Sequence, residues 1–136
     1  MRIVLDTNVF GNLAFCGWLR DCVGIEKMIP CIAYMELVYH HLKKGQTEDY
    51  TDAFMRVHGI TVVPLDAEIA RASARSAVGR WDFKEKARDY TIGATAIIWE
   101  AKLATYNKRD FEWLPKGRVV SPEELMGLKS NDLSSA

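Results

Sequence analysis

Short apolar runs that alternate with stretches of helical periodicity set the narrowest limits on how this chain can fold. Residues 2–6 (RIVLD) form a continuous apolar run ending in an acid, the pattern of a strand buried on both faces and therefore of a central parallel strand. Residues 27–32 (KMIPCI) read as a second strand, with Pro30 placing it near an edge or at a strand end. Residues 60–65 (ITVVPL) make a third, 103–106 (LATY) a fourth, and 118–120 (RVV) a possible fifth.

Helical signals fill the intervals. After the first run, Val9, Leu13, Phe15, Cys16 and Leu19 recur at roughly helical spacing but are divided by glycines, which predicts one broken helix or two short ones. Residues 33–45 read as a helix closed by Lys43 and Lys44, with Gly45 just past its end. Thr47 opens another that ends at Gly59, and Asp66 opens an alanine-rich one that ends at Gly79. Residues 80–89 (RWDFKEKARD) read as a charged connection, and Asp89 as the opening of a helix with small residues along one face. Strand and helix in alternation imply parallel pairing through right-handed crossovers. The expected fold class is a three-layer α/β sandwich with a mostly parallel sheet of four to five strands.

At 136 residues the length favours a single domain, set at 1–125 with a flexible tail over 126–136. Lys plus Arg and Asp plus Glu are both 18, so a nucleic-acid surface would have to be a local patch. Cys16, Cys22 and Cys31 are odd in number, lack CxxC spacing and have apolar neighbours, the signature of reduced core thiols in a cytoplasmic protein. The opening "MRIVLD" meets an acid too early for a secretory signal, and no apolar run reaches spanning length, so no membrane partner is expected.

Sites on parallel sheets form outside the carboxyl ends of the strands. Asp6 ends the first strand and Asp110 lies just beyond the fourth. Glu36 stands one turn into the helix after the second strand, and Asp89 can reach the same rim. Each has a structural explanation of its own: Asp6 as a turn or cap residue, Asp89 as a cap, Glu36 as a solvated helix position and Asp110 as an Asx turn. Together they would repel and raise one another's pKa unless a cation compensates. Oxygen donors without a matching His or Cys set suit Mg²⁺ or Mn²⁺ rather than Zn²⁺. His40, His41 and His58 have no partner at metal-ligand spacing and read as surface or partly buried side chains. No Walker A, GxGxxG or GxSxG motif competes for the chemistry. A hard cation on carboxylates at a sheet end serves phosphodiester hydrolysis.

"LDTNVF", Glu36 in "YMELVYH", "DYTIGATAII" from Asp89 and "TYNKRDF" at 105–111 resemble the motifs of the PIN-domain ribonucleases, specifically the VapC-type toxins of toxin–antitoxin pairs. The resemblance covers residues 2 to about 120 and implies an acidic metal site at Asp6, Glu36, Asp89 and Asp110. It implies that Thr7 and Asn107 orient ligands or the attacking water; a helix cap and a turn former are the structural alternatives. It further implies Mg²⁺- or Mn²⁺-dependent endonucleolytic cleavage of RNA, a cognate antitoxin docking near Phe10, Phe15, Trp18 and Leu19, and a homodimer. Tyr90 and Gly93 depart from the smaller or alanine-like residues the pattern suggests. Candidates for RNA contact are Lys43, Lys44, Arg80, Lys84, Lys86, Arg88, Lys108 and Arg109, with Trp81 and Phe83 available for base stacking. The alternative for 80–88 is a solvated charged segment, since Asp82 and Glu85 dilute the patch. Two other functions stand beside the nuclease: a PIN-like module that grips RNA or protein without cutting, and a phosphatase-like hydrolase with Asp6 as nucleophile. The second lacks the acid of a DxD motif, because position 8 is Asn.

Overall fold

A computed structural model describes residues 1–128; of the tail expected over 126–136, residues 129–136 lie outside the described residues. The chain runs β1 (Arg2–Leu5), a 3₁₀ turn (Thr7–Gly11), α1 (Leu13–Asp21), β2 (Glu26–Pro30), α2 (Cys31–Lys43), α3 (Glu48–His58), β3 (Ile60–Val63), α4 (Ala67–Ala77) and α5 (Phe83–Ile98). It continues through β4 (Lys102–Ala104), a second 3₁₀ turn (Lys108–Phe111), β5 (Val119–Val120) and α6 (Pro122–Met126).

The strands form one sheet in the order β3-β2-β1-β4-β5, parallel throughout. β1 is central and its Ile3, Val4 and Leu5 are wholly buried, as their unbroken apolar run requires. From β1 the chain winds outward to β2 and β3, then returns to the other side of β1 for β4 and β5. Reversing direction with right-handed crossovers puts helices on both faces and leaves a crevice between the carboxyl ends of β1 and β4. The architecture is the three-layer sandwich expected.

Several ends are fixed by local chemistry. The side chains of Thr47 and Asp66 cap α3 and α4, and Gly59 leaves α3 in the left-handed conformation at φ 65°. Gly59 also leaves room for Lys27, whose Nζ lies 3.3 Å from where a Cβ would stand. Lys27 is buried on β2 and donates to the Leu19 carbonyl at 2.6 Å, closing the C-terminal end of α1.

The sequence reading is corrected in four places. β2 runs Glu26–Pro30 rather than 27–32, since Cys31 already belongs to α2; of the two placements expected for Pro30, the strand end is the one found, on an interior strand. Cys31 is exposed rather than a core thiol, whereas Cys16 is buried. Residues 83–88 are helical, because Lys, Glu, Ala and Arg are good helix formers whatever their charge. Asp82 therefore precedes the helix and Asp89 sits inside it, which removes the cap explanation for Asp89. One residue breaks the regularity: Lys86 has φ −118° and ψ 16°. At the far end, Met126 closes α6 and Leu128 lies against the core.

Candidate active site

The crevice between β1 and β4 collects the acids. Asp6 follows β1 and is fully buried, its position held from three sides. Its Oδ1 accepts from the Thr7 amide at 2.8 Å, and its Oδ2 accepts from the Thr105 hydroxyl at 2.8 Å and from the Asn8 amide group at 3.4 Å. Asn8 is fixed in turn, donating to Thr105 Oγ1 at 3.1 Å and accepting from the Tyr106 amide at 3.1 Å. The segments after β1 and β4 are thereby tied side chain to backbone across the crevice. Asn8 and Thr105 escaped the sequence reading of the site. Their signal was present in "DTN" and "TYN", where a polar residue flanks the acid or the turn at each strand end.

Thr7 does not cap a helix; its hydroxyl lies between the Ala33 carbonyl, at 3.2 Å, and Glu36 Oε1, at 2.8 Å. One hydroxyl proton serves one of these acceptors at a time. Asn107 starts the second 3₁₀ turn, where its carbonyl accepts from the Asp110 amide at 3.0 Å while its side chain makes no capping bond.

A cation from the chain itself occupies the middle of the cluster. Arg88 Nε donates to Glu36 Oε2 at 2.7 Å, Nη1 to Asp89 Oδ1 at 2.8 Å, and Nη2 to both Glu36 Oε1 at 2.7 Å and Asp6 Oδ1 at 2.6 Å. Asp110 is held separately by Lys86 Nζ at 2.6 Å. Asp6, Glu36 and Asp89 are thus brought together around one guanidinium, with Asp110 beside them on its own ammonium. Arg88 and Lys86, read from the sequence as RNA contacts, turn inward to the acids instead. Among the described residues every buried side-chain nitrogen and oxygen has a partner.

The electrostatics follow from this packing. Burial works against the Arg88 charge, but Glu36 and Asp6 outweigh it and raise its pKa. Burial would also raise the Glu36 carboxyl, yet the bonds from Arg88 and Thr7 win and hold it below the ordinary glutamate value. Asp89 moves the other way: burial raises it, Arg88 opposes, and the nearby charges of Asp110 and Asp6 add to the rise. The bond to Asp110 raises Lys86.

Lys44 lines a cavity of about 350 Å³ that Thr7, Asn8, Phe10, His40 and His41 share. Lys43 sits over the Tyr39 ring at 5.8 Å, and Lys108 is paired with Glu124. Lys43, Lys44, Arg80, Lys84 and Arg109 are exposed and make no ion pair among the described residues. Trp81 and Phe83 are exposed at 91% and 45%. Of the apolar residues expected to form a docking groove, Phe15 and Leu19 are core and only Phe10 and Trp18 are partly accessible.

Oxygen donors alone, with no imidazole or thiolate among them, fit a hard divalent cation in kind. In arrangement the acids are closed on Arg88 and Lys86, and among the described residues no three His, Cys, Asp or Glu side chains form a ready metal-binding group.

No protein-family model and no curated protein matches the chain. It is similar to a chain of a toxin–antitoxin complex from Klebsiella pneumoniae, at 25% identity over 88% of this chain and 97% of that one, with a TM-score of 0.68. VapBC-1 from nontypeable Haemophilus influenzae matches at 17% identity over 90% and 99% of the two chains, with a TM-score of 0.67. VapBC2 from Rickettsia felis, bound to a DNA fragment from its promoter, matches at 18% identity over 89% and 98%, with a TM-score of 0.62. The resemblance to VapC-type PIN domains read from the four motifs is therefore borne out in the architecture, over nearly the whole chain.

Proposed function

We propose that this protein is a Mg²⁺- or Mn²⁺-dependent endoribonuclease, the toxin of a toxin–antitoxin pair. The observation that carries the reading is the meeting of Asp6, Glu36, Asp89 and Asp110, from four separate segments, at the sheet's switch point. The likeness to chains of toxin–antitoxin complexes supports the toxin assignment and, with it, a cognate antitoxin as partner; the homodimer rests on the motif resemblance alone. When bound, the divalent ion supplies neutralisation of charge on a phosphoryl oxygen and acidification of water.

The chain's own residues do the rest. The four carboxylates offer the oxygens that hold the ion. Thr105 and Asn8 fix the Asp6 carboxylate, and Thr7 fixes that of Glu36, so neither has to be ordered when substrate arrives. Exposed Lys44, which shares a cavity with Thr7 and Asn8, and Arg109, next to Asp110, can receive the RNA backbone, and Trp81 and Phe83 can stack unpaired bases.

A second reading, a PIN-like module that grips RNA or a partner protein without cutting, draws on the same Arg88 and Lys86, which give each of the four acids a cationic partner without a metal. The two readings separate in one experiment. Purified protein is incubated with single-stranded and structured RNA in Mn²⁺, in Mg²⁺ and in EDTA, and its melting is followed in the same buffers. The nuclease reading expects cleavage only with metal, loss of cleavage in Asp6→Asn and Asp110→Asn, and a melting temperature raised by millimolar Mn²⁺ through mass action. RNA binding without cleavage, with melting indifferent to Mn²⁺, selects the non-cutting module.

A further inference from the structure

Arg88 stands where a cation would have to bind. Its guanidinium uses three nitrogens on Asp6, Glu36 and Asp89 at 2.6–2.8 Å, a planar fork matched to carboxylate geometry. Mg²⁺ and Mn²⁺ need the same oxygen lone pairs at shorter distances, and a divalent ion beside an arginine is repelled in a partly desolvated crevice. Guanidinium and metal therefore exclude each other.

We infer that Arg88 is a built-in counterion that competes with divalent cations for Asp6, Glu36 and Asp89, so that metal binding requires the guanidinium to leave the cluster. The inference rests on the metal-dependent reading above. Two features make departure feasible. The Arg88 side chain is 32% exposed and so has a direct path to solvent. It also lies two residues beyond Lys86, whose non-helical backbone separates the first turn of α5 from the rest of the helix. Lys86 makes the equivalent arrangement with Asp110, so both inward cations come from one short stretch of α5. While Arg88 is seated, its charge offsets part of that of the three acids and reduces their repulsion. Once a metal is present, it takes over that role.

The test is Mn²⁺ titrated calorimetrically into the full chain, comparing wild type, Arg88→Gln and Arg88→Lys. Arg88→Gln is expected to bind Mn²⁺ at least tenfold more tightly than wild type. Arg88→Lys should fall between them, because an ammonium keeps the charge and loses the fork. Should Arg88→Gln fail to fold, the wild type alone decides: the Arg88 Nε–H resonance is followed by NMR as Mg²⁺ is added, and it should move towards a solvent-exposed position and exchange faster. Arg88→Gln binding Mn²⁺ no more tightly than wild type, or an Arg88 resonance unchanged at Mg²⁺ saturation, overturns the competition while leaving metal binding itself established. Absence of Mn²⁺ binding in all three proteins overturns the competition and the metal-dependent reading together.

Discussion

Replacing Gly93 with alanine should destabilise this protein, although helix propensity alone favours alanine at an interior position by about 1 kcal/mol. A Cβ added at Gly93, inside α5, would lie 2.5 Å from both Cη2 and Cζ2 of Trp113 and 3.4 Å from Cδ1 of Leu114. Ordinary packing then requires the indole to retreat by about 1 Å. Trp113 is not free to do so, because its ring packs on Tyr90 at a centroid distance of 5.0 Å and its Nε1 donates to the Asp110 carbonyl at 3.1 Å. Overpacking of this kind costs about 1–3 kcal/mol. Less the propensity gain, the net loss is about 1 kcal/mol and at most about 2, or roughly 4 °C of melting temperature per kcal/mol for a chain of this size. Calorimetry of wild type, Gly93→Ala, Trp113→Leu and the double variant measures it. In the Trp113→Leu background the clash is gone, so Gly93→Ala should become stabilising and the cycle should show a coupling of about 2 kcal/mol, and at most about 3. A higher melting temperature for Gly93→Ala in the otherwise wild-type protein would refute the packing argument.

The remaining predictions concern single groups. His41, with Nδ1 2.7 Å from the buried Thr51 hydroxyl, has its pKa lowered by burial and then by Lys44 and His40, so the folded state resists its protonation. That contribution is present above the unfolded histidine value of about 6.5 and is lost as pH falls through the folded pKa. Melting temperature should thus drop below about pH 6.5, and the drop should be shallower in His41→Gln. Exposed Cys31 should react rapidly with Ellman's reagent in the native protein, while buried Cys16, its thiol pushed up by burial, should react only on unfolding; three equally fast thiols would contradict the packing of α1. Asp6→Asn, besides its effect on cleavage, removes the charge from bonds to Arg88 and Thr105 at a fully buried site, and should lower stability by about 1.5–3 kcal/mol in urea titration.

Where the sequence was read correctly, one local cause dominated. Continuous apolar runs produced β1 and β3 where they were expected: β1 is buried on both faces, and β3, although at the sheet edge, keeps Ile60 and Val63 in the core. Thr47, Asp66 and Gly59 marked helix ends because a cap is a contact within one turn. The rim position of Asp6 and Asp110 followed from the chirality of crossovers. Reading failed where two distant segments share one outcome. The stretch 80–89 looks like a solvated loop as long as its cations are assumed to face water, and becomes a helix start once Lys86 and Arg88 are seen to have acids to meet. Gly93 looked like a defect in an alanine-rich helix because Trp113, twenty residues later, was not in view.

Arg88 could nonetheless have been inferred from charge balance. Four carboxylates converging at a buried rim cannot remain unpaired at neutral pH, since one of them, Asp6, is completely removed from water and buried charges are tolerated only with a partner. The partner had to come from an exogenous ion or from a cation already close to the cluster in the chain. Among the cations flanking the four acids, Lys108 and Arg109 precede Asp110 and Arg88 precedes Asp89. Lys108 is taken by Glu124, and Arg109 is exposed in a turn of 3₁₀ type that points successive side chains apart. Arg88, one residue before an acid that faces the crevice from α5, has the reach and the planar fork to engage three carboxylates at once. A search for the compensating cation among the neighbours of the acids, before an external metal is invoked, would have singled it out.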